Sequence, residues 1–369
     1  MPFKYNISEI LWSPVRALSA KKITLMTGYL IDALIFYDIF AYIALVIEGE
    51  KLSNIWKAYS FFPFVQFGFD DLAAQIVFAV GVSGAVLLVM MGMFAIAAIE
   101  IERIRGNPFM SFMQAIKFSF KRINQILLSE ISIILFMVLI VGLFALFGSI
   151  GRIPWLGEWI MAVFFVIPGF IVAIISVFIM AVLCCSLLLL PATAAADRNG
   201  ETFNSILETF STIIREPARW VGYTAYSLVA GKLATFVYAF FCYLAINFST
   251  WAIALGGGAK VERLLRSGLS HLPANAEFVK EVFSFYPGSS FAFNFKEWMR
   301  GGNDSWAGYL MAFMLFLIFT SILGYFFSIL ATAQANGFAV IRNAKDNHKI
   351  SEEDSLFHTE EHINPPIEE

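Results

Sequence analysis

Three charged residues inside long apolar segments are the strongest candidates for chemistry in this sequence. Asp32 and Asp38 lie in the first such segment, and Lys232 lies in the fifth. A charge at bilayer depth is costly, so it usually pairs with a partner or serves a function. At about 1.5 Å per residue, Asp32, Asp38 and Lys232 lie about 14, 22 and 18 Å from their segment starts. The two Asp are about 240° apart around the helix, so we predict that only one of them pairs with Lys232.

This predicted pair has three interpretations. A fixed ion pair would hold the first apolar helix against the fifth. A proton- or ion-linked site would instead line a transport path. Alternatively, the long Lys232 side chain could extend to water or to a hydrated lumen while its stem stays in apolar surroundings.

Two further motifs are weaker. Pro168-Gly169 interrupts the fourth apolar segment and predicts a helix kink, because Pro donates no backbone N–H. A static packing kink and the broken helix of a transporter site both fit that pattern. His358 and His362 have the four-residue spacing of a helical metal site, but their order is not that of zinc proteases. We predict no metal there.

The remaining signals favour a protein without catalysis. Cys184, Cys185 and Cys242 all lie in apolar segments, which indicates packing residues rather than disulfides. The glycines at 256–258 end a helix and lack the Lys and Ser/Thr of a phosphate loop. We therefore predict no enzyme activity, no cofactor and no nucleic-acid partner.

The elements that position these residues are long apolar helices. The chain is 59% hydrophobic, contains 40 Phe and has a mean hydropathy of +0.74. A bilayer core needs about 20 apolar residues in a helix, and lipid requires internal backbone pairing. The sequence predicts an all-α, polytopic integral membrane protein with six transmembrane helices, near 23–47, 73–99, 127–150, 160–190, 221–255 and 306–333.

Basic residues are sorted to one side of these spans. The formal net charge is only −3, but most Lys and Arg lie before the odd-numbered spans or after the even-numbered ones. Lys and Arg near helix ends mark the cytoplasmic side. We therefore expect both termini in the cytoplasm, in a cell membrane that we take to be the bacterial cytoplasmic membrane. The first 22 residues have no signal-peptide core, so helix one is predicted to be an uncleaved anchor.

Amphipathic stretches at 8–22, 107–126 and 202–219 precede spans one, three and five. Their apolar residues recur at helical spacing, which predicts helices that lie in the membrane interface as elbows. Packing on neighbouring loops is the alternative. The elbow cations that could contact anionic lipid headgroups are Lys117, Lys121, Arg122, Arg215 and Arg219. The layout predicts three repeated units, each an elbow plus a helical hairpin.

Two regions lie outside the predicted spans. An external loop at 256–305 separates spans five and six within a transmembrane domain of residues 1–345. Residues 346–369 form a polar cytoplasmic tail, which we expect to be disordered unless it is bound.

One motif carries a family resemblance. Leu190-Pro191-Ala192-Thr193, followed by the stretch 201–220, resembles a group of uncharacterised bacterial six-helix membrane proteins. That group is similar to the membrane domain of glycerophosphodiester phosphodiesterases. The resemblance implies the fold and a link to the envelope or to lipids. It does not imply the activity, because the catalytic barrel has no counterpart in this sequence.

The leading functional hypothesis is a structural or accessory subunit of a membrane assembly, or a lipid-contacting envelope protein. Its partners would be membrane lipids and other membrane proteins. The alternative is a small transporter or channel that uses Asp32, Asp38 and Lys232. A membrane enzyme is a third and weaker hypothesis.

Overall fold

The structure is a computed structural model that describes residues 3–59, 68–153, 156–164, 169–270 and 306–357. Within these ranges all regular secondary structure is helical, and six helices are long and apolar enough to cross a membrane. The long helices are α3 (Ala20–Ile47), α5 (Leu72–Ile104), α7 (Ile123–Gly148), α9 (Phe170–Ala196), α11 (Pro217–Gly257) and α13 (Trp306–Asp346). The predicted all-α class and the six long apolar helices are thus confirmed.

Seven shorter helices connect or flank the long ones within the described ranges. They are α1 (Ile7–Leu11), α2 (Ser13–Ala17), α4 (Leu52–Tyr59), α6 (Phe112–Lys121), α8 (Leu156–Phe164), α10 (Thr202–Arg215) and α12 (Ala259–Ser270). Short 3-10 turns cover Ser149–Arg152 and Ile350–Glu352.

Several spans extend beyond their predicted ends. The prediction ended the second span at residue 99 and the sixth at 333, whereas α5 continues to Ile104 and α13 to Asp346. Hydropathy falls where charged residues begin, but the helices continue because those charges have partners inside the protein. The fourth predicted span, 160–190, differs more. It comprises α8 and α9, residues 165–168 lie outside the described ranges, and α9 continues past Pro191.

The second and third elbows contain amphipathic helices, as their periodicity predicts. In α6, Ser111 and Gln114 form a reciprocal capping box that satisfies two backbone N–H groups at the helix start. In α10 the buried face is hydroxylic and includes Ser205, Thr209 and Thr212, whereas Phe203 and Ile214 are exposed. The apolar stripe of α10 therefore faces outward, and its polar residues pack inward.

The chain divides into two compact units. Unit one comprises residues 1–10, 97–224 and 333–369, and unit two comprises 11–96 and 225–332. The core of unit two is mostly apolar, although Lys22 is buried in it, and it contains one cluster from the end of α3 and the start of α5, with Leu45 and Phe78. Elsewhere along the same two helices, a glycine allows close contact. A Cβ at Gly92 of α5 would lie 2.8 Å from the Met26 sulfur of α3.

Unit one buries more charged side chains. Its core includes the charged end of α5, the hydroxylic face of α10 and a mainly apolar face of α9. Buried polar groups are stable only when they are paired. The polar pairs of unit one are therefore where candidate sites are found.

Candidate functional site

The three charges predicted at membrane depth all belong to unit two. Asp32 is exposed on α3, whereas Asp38 of α3 and Lys232 of α11 are half-buried. Asp38 lies close enough to Tyr42 for an electrostatic interaction. The predicted pairing of one Asp with Lys232 stays a prediction. Of the predicted kink pair, Pro168 lies outside the described residues, and Gly169 has helical backbone angles at the start of α9.

The elbow cations divide into two groups. Arg122 lies between α6 and α7, and its guanidinium donates to the backbone carbonyls of Asp197 and Arg198 at 2.5 and 2.7 Å. Burial lowers the pKa of Arg122, and this effect is opposed by the nearby Asp197 carboxylate. Arg122 therefore ties the start of α7 to the loop after α9, a structural role rather than a lipid contact.

The other elbow cations are exposed. Lys117 and Lys121 lie on the surface of α6. Arg215 pairs with Asp346 at 3.8 Å, and Arg219 pairs with Glu216 at 3.6 Å. These exposed cations remain candidates for contact with lipid headgroups.

A buried charge network at the end of α5 was missed by the sequence analysis. The Arg105 guanidinium donates to Glu102 at 3.1 Å, to Glu353 at 2.6 Å and to the Ala196 carbonyl at 2.8 Å. The Arg105 side chain is fully buried. Its three partners lie on α5, after α13 and on α9, so one side chain joins three parts of unit one.

The C-terminal segment completes this network. Glu353 also pairs with Arg342 of α13 at 3.2 Å, and the Ser355 hydroxyl donates to Glu102 at 2.5 Å. Ile350 is fully buried, and the Phe357 ring contacts Phe118 of α6 with centroids 5.9 Å apart. The expectation that the tail is disordered from residue 346 is therefore wrong for residues 347–357, because Glu353 of this segment pairs with the buried Arg105 and Ile350 is buried.

A cleft of about 790 Å³ lies beside the network within unit one, between the ends of α9 and α13 and the length of α10. Four Lys or Arg residues and four Asp or Glu residues line it: Arg198, Arg215, Arg342, Lys345, Asp197, Glu208, Asp346 and Glu353. Lys345 pairs with Glu208 at 3.0 Å and with Asp346 at 3.2 Å. Because its charges balance, the cleft has no clear preference for an anion.

A polar seam of buried side chains lies where α7, α9 and α10 pack together, and two of its residues, Thr193 and Ser205, also line the cleft. We define the seam as Gln125, Ser129 and Glu130 of α7, Thr193 of α9, and Ser205, Thr209 and Thr212 of α10. Gln125 donates to Ser205 at 2.7 Å, and the hydroxyls of Thr193 and Thr209 are 2.7 Å apart. Glu130 is only 3% exposed.

Glu130 is the functional candidate that sequence reasoning missed. It lies near the start of the third span, where a carboxylate looks like a helix-end residue in water. The available signal was its spacing, since Glu130 shares one helical face with Ile126 and Ile133.

Within the described residues, no group of three His, Cys, Asp or Glu side chains is placed to hold a metal ion. His358 and His362 lie outside those residues.

No protein-family model, no curated protein and no solved structure matches the chain. The resemblance of residues 190–220 to the membrane domain of glycerophosphodiester phosphodiesterases therefore stays a prediction.

Proposed function

We propose that this chain is a non-enzymatic integral membrane protein that acts as an accessory subunit of a membrane assembly. The observation that carries the proposal is the uneven burial of the spans. In the most apolar window of each helix, 56% of the residues are buried in α5, but only 6% in α7 and 11% in α9. Partner transmembrane helices would cover the faces that this chain leaves open.

The α7 helix supplies the main surface for such a partner. Every residue from Val141 to Ser149 is exposed, which covers all sides of more than two helical turns. Helices in polytopic proteins normally bury at least one face against neighbours. A Cβ added at Gly142 or Gly148 would meet no atom within 4 Å, so another helix could approach the backbone closely at both positions.

The first turns of α7 are fixed, which makes its open half a stable surface. Arg122 and Gln125 bind the end of α9 and the start of α10, as described above. A partner would then meet a preorganised surface and would not have to order it, which lowers the cost of association.

The amphipathic elbows and the positions of Lys and Arg support two further parts of the proposal, contact with lipid and a cytoplasmic location for both termini. Exposed Phe109, Phe112 and Phe120 around α6, and Phe203 and Ile214 on α10, suit insertion into the interface. The Lys and Arg side chains near these elbows favour a cytoplasmic location for them and for both termini. The buried Arg105 is paired with Glu102 and Glu353, an arrangement that suits structure better than catalysis.

The test uses the full chain in the membranes of its host. A photo-crosslinking residue replaces Val141 on α7, and in a matched control it replaces the similarly exposed Ile39 on α3. We expect one partner protein to crosslink at position 141 and not at 39. The same protein should copurify at a constant ratio in mild detergent.

A pair of glycine variants makes the test specific. Gly142→Leu adds bulk where no atom of this chain lies within 4 Å, and Gly28→Leu does the same on α3. Only Gly142→Leu should release the partner. Crosslinks at 141 to lipid alone, or to a second copy of this chain, would overturn the proposal.

A further inference from the structure

We propose that the α6 elbow is a binding site for anionic phospholipid headgroups, which it contacts through Lys117 and Lys121. This inference rests on the membrane location in the proposed function but not on a partner protein. Both lysines are exposed, and neither forms an ion pair within the described residues. The chain has no acidic residue between Glu102 and Glu130, a stretch that carries five Lys or Arg. The elbow therefore has cations without an acidic neighbour in sequence.

One face of α6 is buried and holds the helix on unit one. Ala115, Phe118 and Ser119 form this face. The Phe118 ring contacts the Phe357 ring, and the Arg122 guanidinium lies 4.8 Å from the centroid of Phe118. These contacts fix the rotation of α6 about its own axis, so its other faces point in a defined direction.

A second face of α6 is apolar and exposed. Met113 and Phe120 are 55% and 52% exposed and lie about 20° apart around the helix. Phe109, in the turn before α6, is 88% exposed. Aromatic and Met side chains on an amphipathic helix are stabilised when they leave water for the boundary between headgroups and acyl chains. This face therefore suits insertion into a membrane surface.

The third face of α6 is cationic. Lys117 and Lys121 are four residues apart, which places their Cβ atoms about 5–6 Å from each other on the same face. Lys117 is about 60° from Phe120 around the helix. The long lysine stems can lie along apolar surface while the ammonium groups stay in the headgroup layer. Insertion of Phe120 thus brings both ammonium groups to the level of the lipid phosphates.

The position of α6 in the chain favours a lipid as the partner. Arg122 alone separates Lys121 from Ile123, the first residue of the long helix α7. Leu128 and Ile131, on the early turns of α7, are exposed apolar residues. Headgroups lie at the ends of membrane spans, and anionic lipids there attract nearby Lys and Arg. An acidic soluble protein would match the lysines but not the exposed Phe and Met side chains.

The α10 elbow provides an internal comparison. The α6 helix ends at Lys121, and α10 ends 94 residues later at Arg215. The long helices that follow the two elbows also begin 94 residues apart. Gly106 and Gly200 precede the elbows at this same offset, and both have a positive φ. The two elbows can therefore be compared position by position.

The polar face of α10 is occupied by α13. At the offset of 94 residues, Ser211 corresponds to Lys117 and Arg215 corresponds to Lys121. Ser211 accepts a hydrogen bond from Lys345 of α13 at 3.1 Å, and Arg215 pairs with Asp346 at 3.8 Å. The matching face of α6 has no ion-pair partner among the residues that the structure describes, so it is the elbow whose cations can bind a headgroup.

The experiment measures lipid binding to the full chain in a neutral detergent by native mass spectrometry. Short-chain phosphatidylglycerol is the anionic probe, and phosphatidylcholine with the same acyl chains is the neutral comparison. We expect phosphatidylglycerol to bind more tightly, with an advantage that decreases as ionic strength rises. Inorganic phosphate tests whether the anion alone is sufficient. Equally tight binding of phosphate would overturn the assignment to a lipid.

Two double variants decide whether α6 is the site. Lys117→Gln combined with Lys121→Gln should weaken phosphatidylglycerol binding about 30-fold, since each lysine near an anionic surface contributes about fivefold. Phosphatidylcholine binding should not change. The matched control, Arg215→Gln combined with Arg219→Gln, removes two cations of the α10 elbow that are already paired, and should leave binding nearly unchanged.

Two results contradict the proposal. Phosphatidylglycerol binding would be undiminished in the lysine double variant, or it would weaken equally in both double variants. Neither result affects the crosslink at position 141, which involves neither lysine. The proposed function can therefore fail or hold independently of this lipid site.

Discussion

The cores of the two units differ in how many charges they bury: among the described residues, unit one buries five charged side chains, and unit two buries one, Lys22. Unit two packs helices through glycines against large side chains, such as Gly92 against Met26 and Tyr29. Unit one buries ionised groups, with Arg105 between Glu102 and Glu353. Burial of apolar surface stabilises the folded state roughly in proportion to the area buried. A buried charge network stabilises it only when every charged member has its partner.

This difference predicts how strongly a single substitution should destabilise each unit. Loss of one partner in unit one leaves another charge buried and unpaired, and that penalty exceeds the value of the pair itself. An added methyl group in unit two forces local displacement, which a helix pair absorbs in part. Single substitutions should therefore be more damaging in unit one.

The largest effect is expected at Arg105. Arg105→Met keeps much of the side-chain volume but removes the charge between Glu102 and Glu353. We expect the free energy of unfolding to fall by about 3–5 kcal/mol, because the buried Glu102 loses its cationic partner and Glu353 keeps only Arg342. A denaturant titration of the purified chain in detergent micelles measures this change.

The matched control is Arg219→Met, since Arg219 is half exposed and pairs with Glu216 at 3.6 Å. Exposed pairs contribute at most about 1 kcal/mol. Equal losses for Arg105→Met and Arg219→Met would show that unit one does not depend on its buried network.

A smaller effect is expected at Gly92 in unit two. A Cβ there would lie 2.8 Å from the Met26 sulfur and 2.9 Å from the Tyr29 Cβ. Gly92→Ala should lower the free energy of unfolding by about 1–3 kcal/mol through overpacking, in the same titration. Gly28→Ala is the control, because no atom lies within 4 Å of its Cβ position. It should be neutral or stabilising, since Ala favours the helix more than Gly does; a loss equal to that of Gly92→Ala would argue against tight glycine packing.

Composition and periodicity were sufficient to predict the coarse fold. Runs of about 20 apolar residues predict helices wherever they occur, because lipid and buried cores both demand internal backbone pairing. Helix ends were less predictable. The extension of α13 beyond residue 333 depends on burial of Ala335, Phe338 and Ile341, and such burial comes from distant parts of the chain.

The candidate sites illustrate the same limit. Glu353 looks like one acid among several in a polar tail, and only the fold brings it to Arg105 and Arg342. Glu130 similarly becomes unusual only through its burial, which the fold produces and the sequence does not show. Conversely, Asp32 looked like a buried charge from its depth along the segment but is exposed on α3, because depth along a helix does not specify which face packs.

The smallest effect is expected at the charges of unit two, where a double-mutant cycle can identify the partner of Lys232. Asp38 and Lys232 are both half-buried, whereas Asp32 is exposed. Polar contacts between membrane helices are coupled by about 0.6 kcal/mol on average in double-mutant cycles. We therefore expect Lys232→Met and Asp38→Asn to be coupled by about 0.5–1 kcal/mol, and Lys232→Met and Asp32→Asn to be additive.

The same variants distinguish structure from transport. If the pair is structural, Lys232→Met lowers stability and Asp38→Asn restores part of the loss, because the second change removes the carboxylate left unpaired. If Lys232 instead lines a path, both single variants fold normally and alter ion flux in vesicles. If Lys232→Met is fully additive with both Asp variants and ion flux is unchanged, Lys232 neither forms a structural ion pair with Asp32 or Asp38 nor lines a transport path. The open face of α7 would then be the remaining basis of the proposed function.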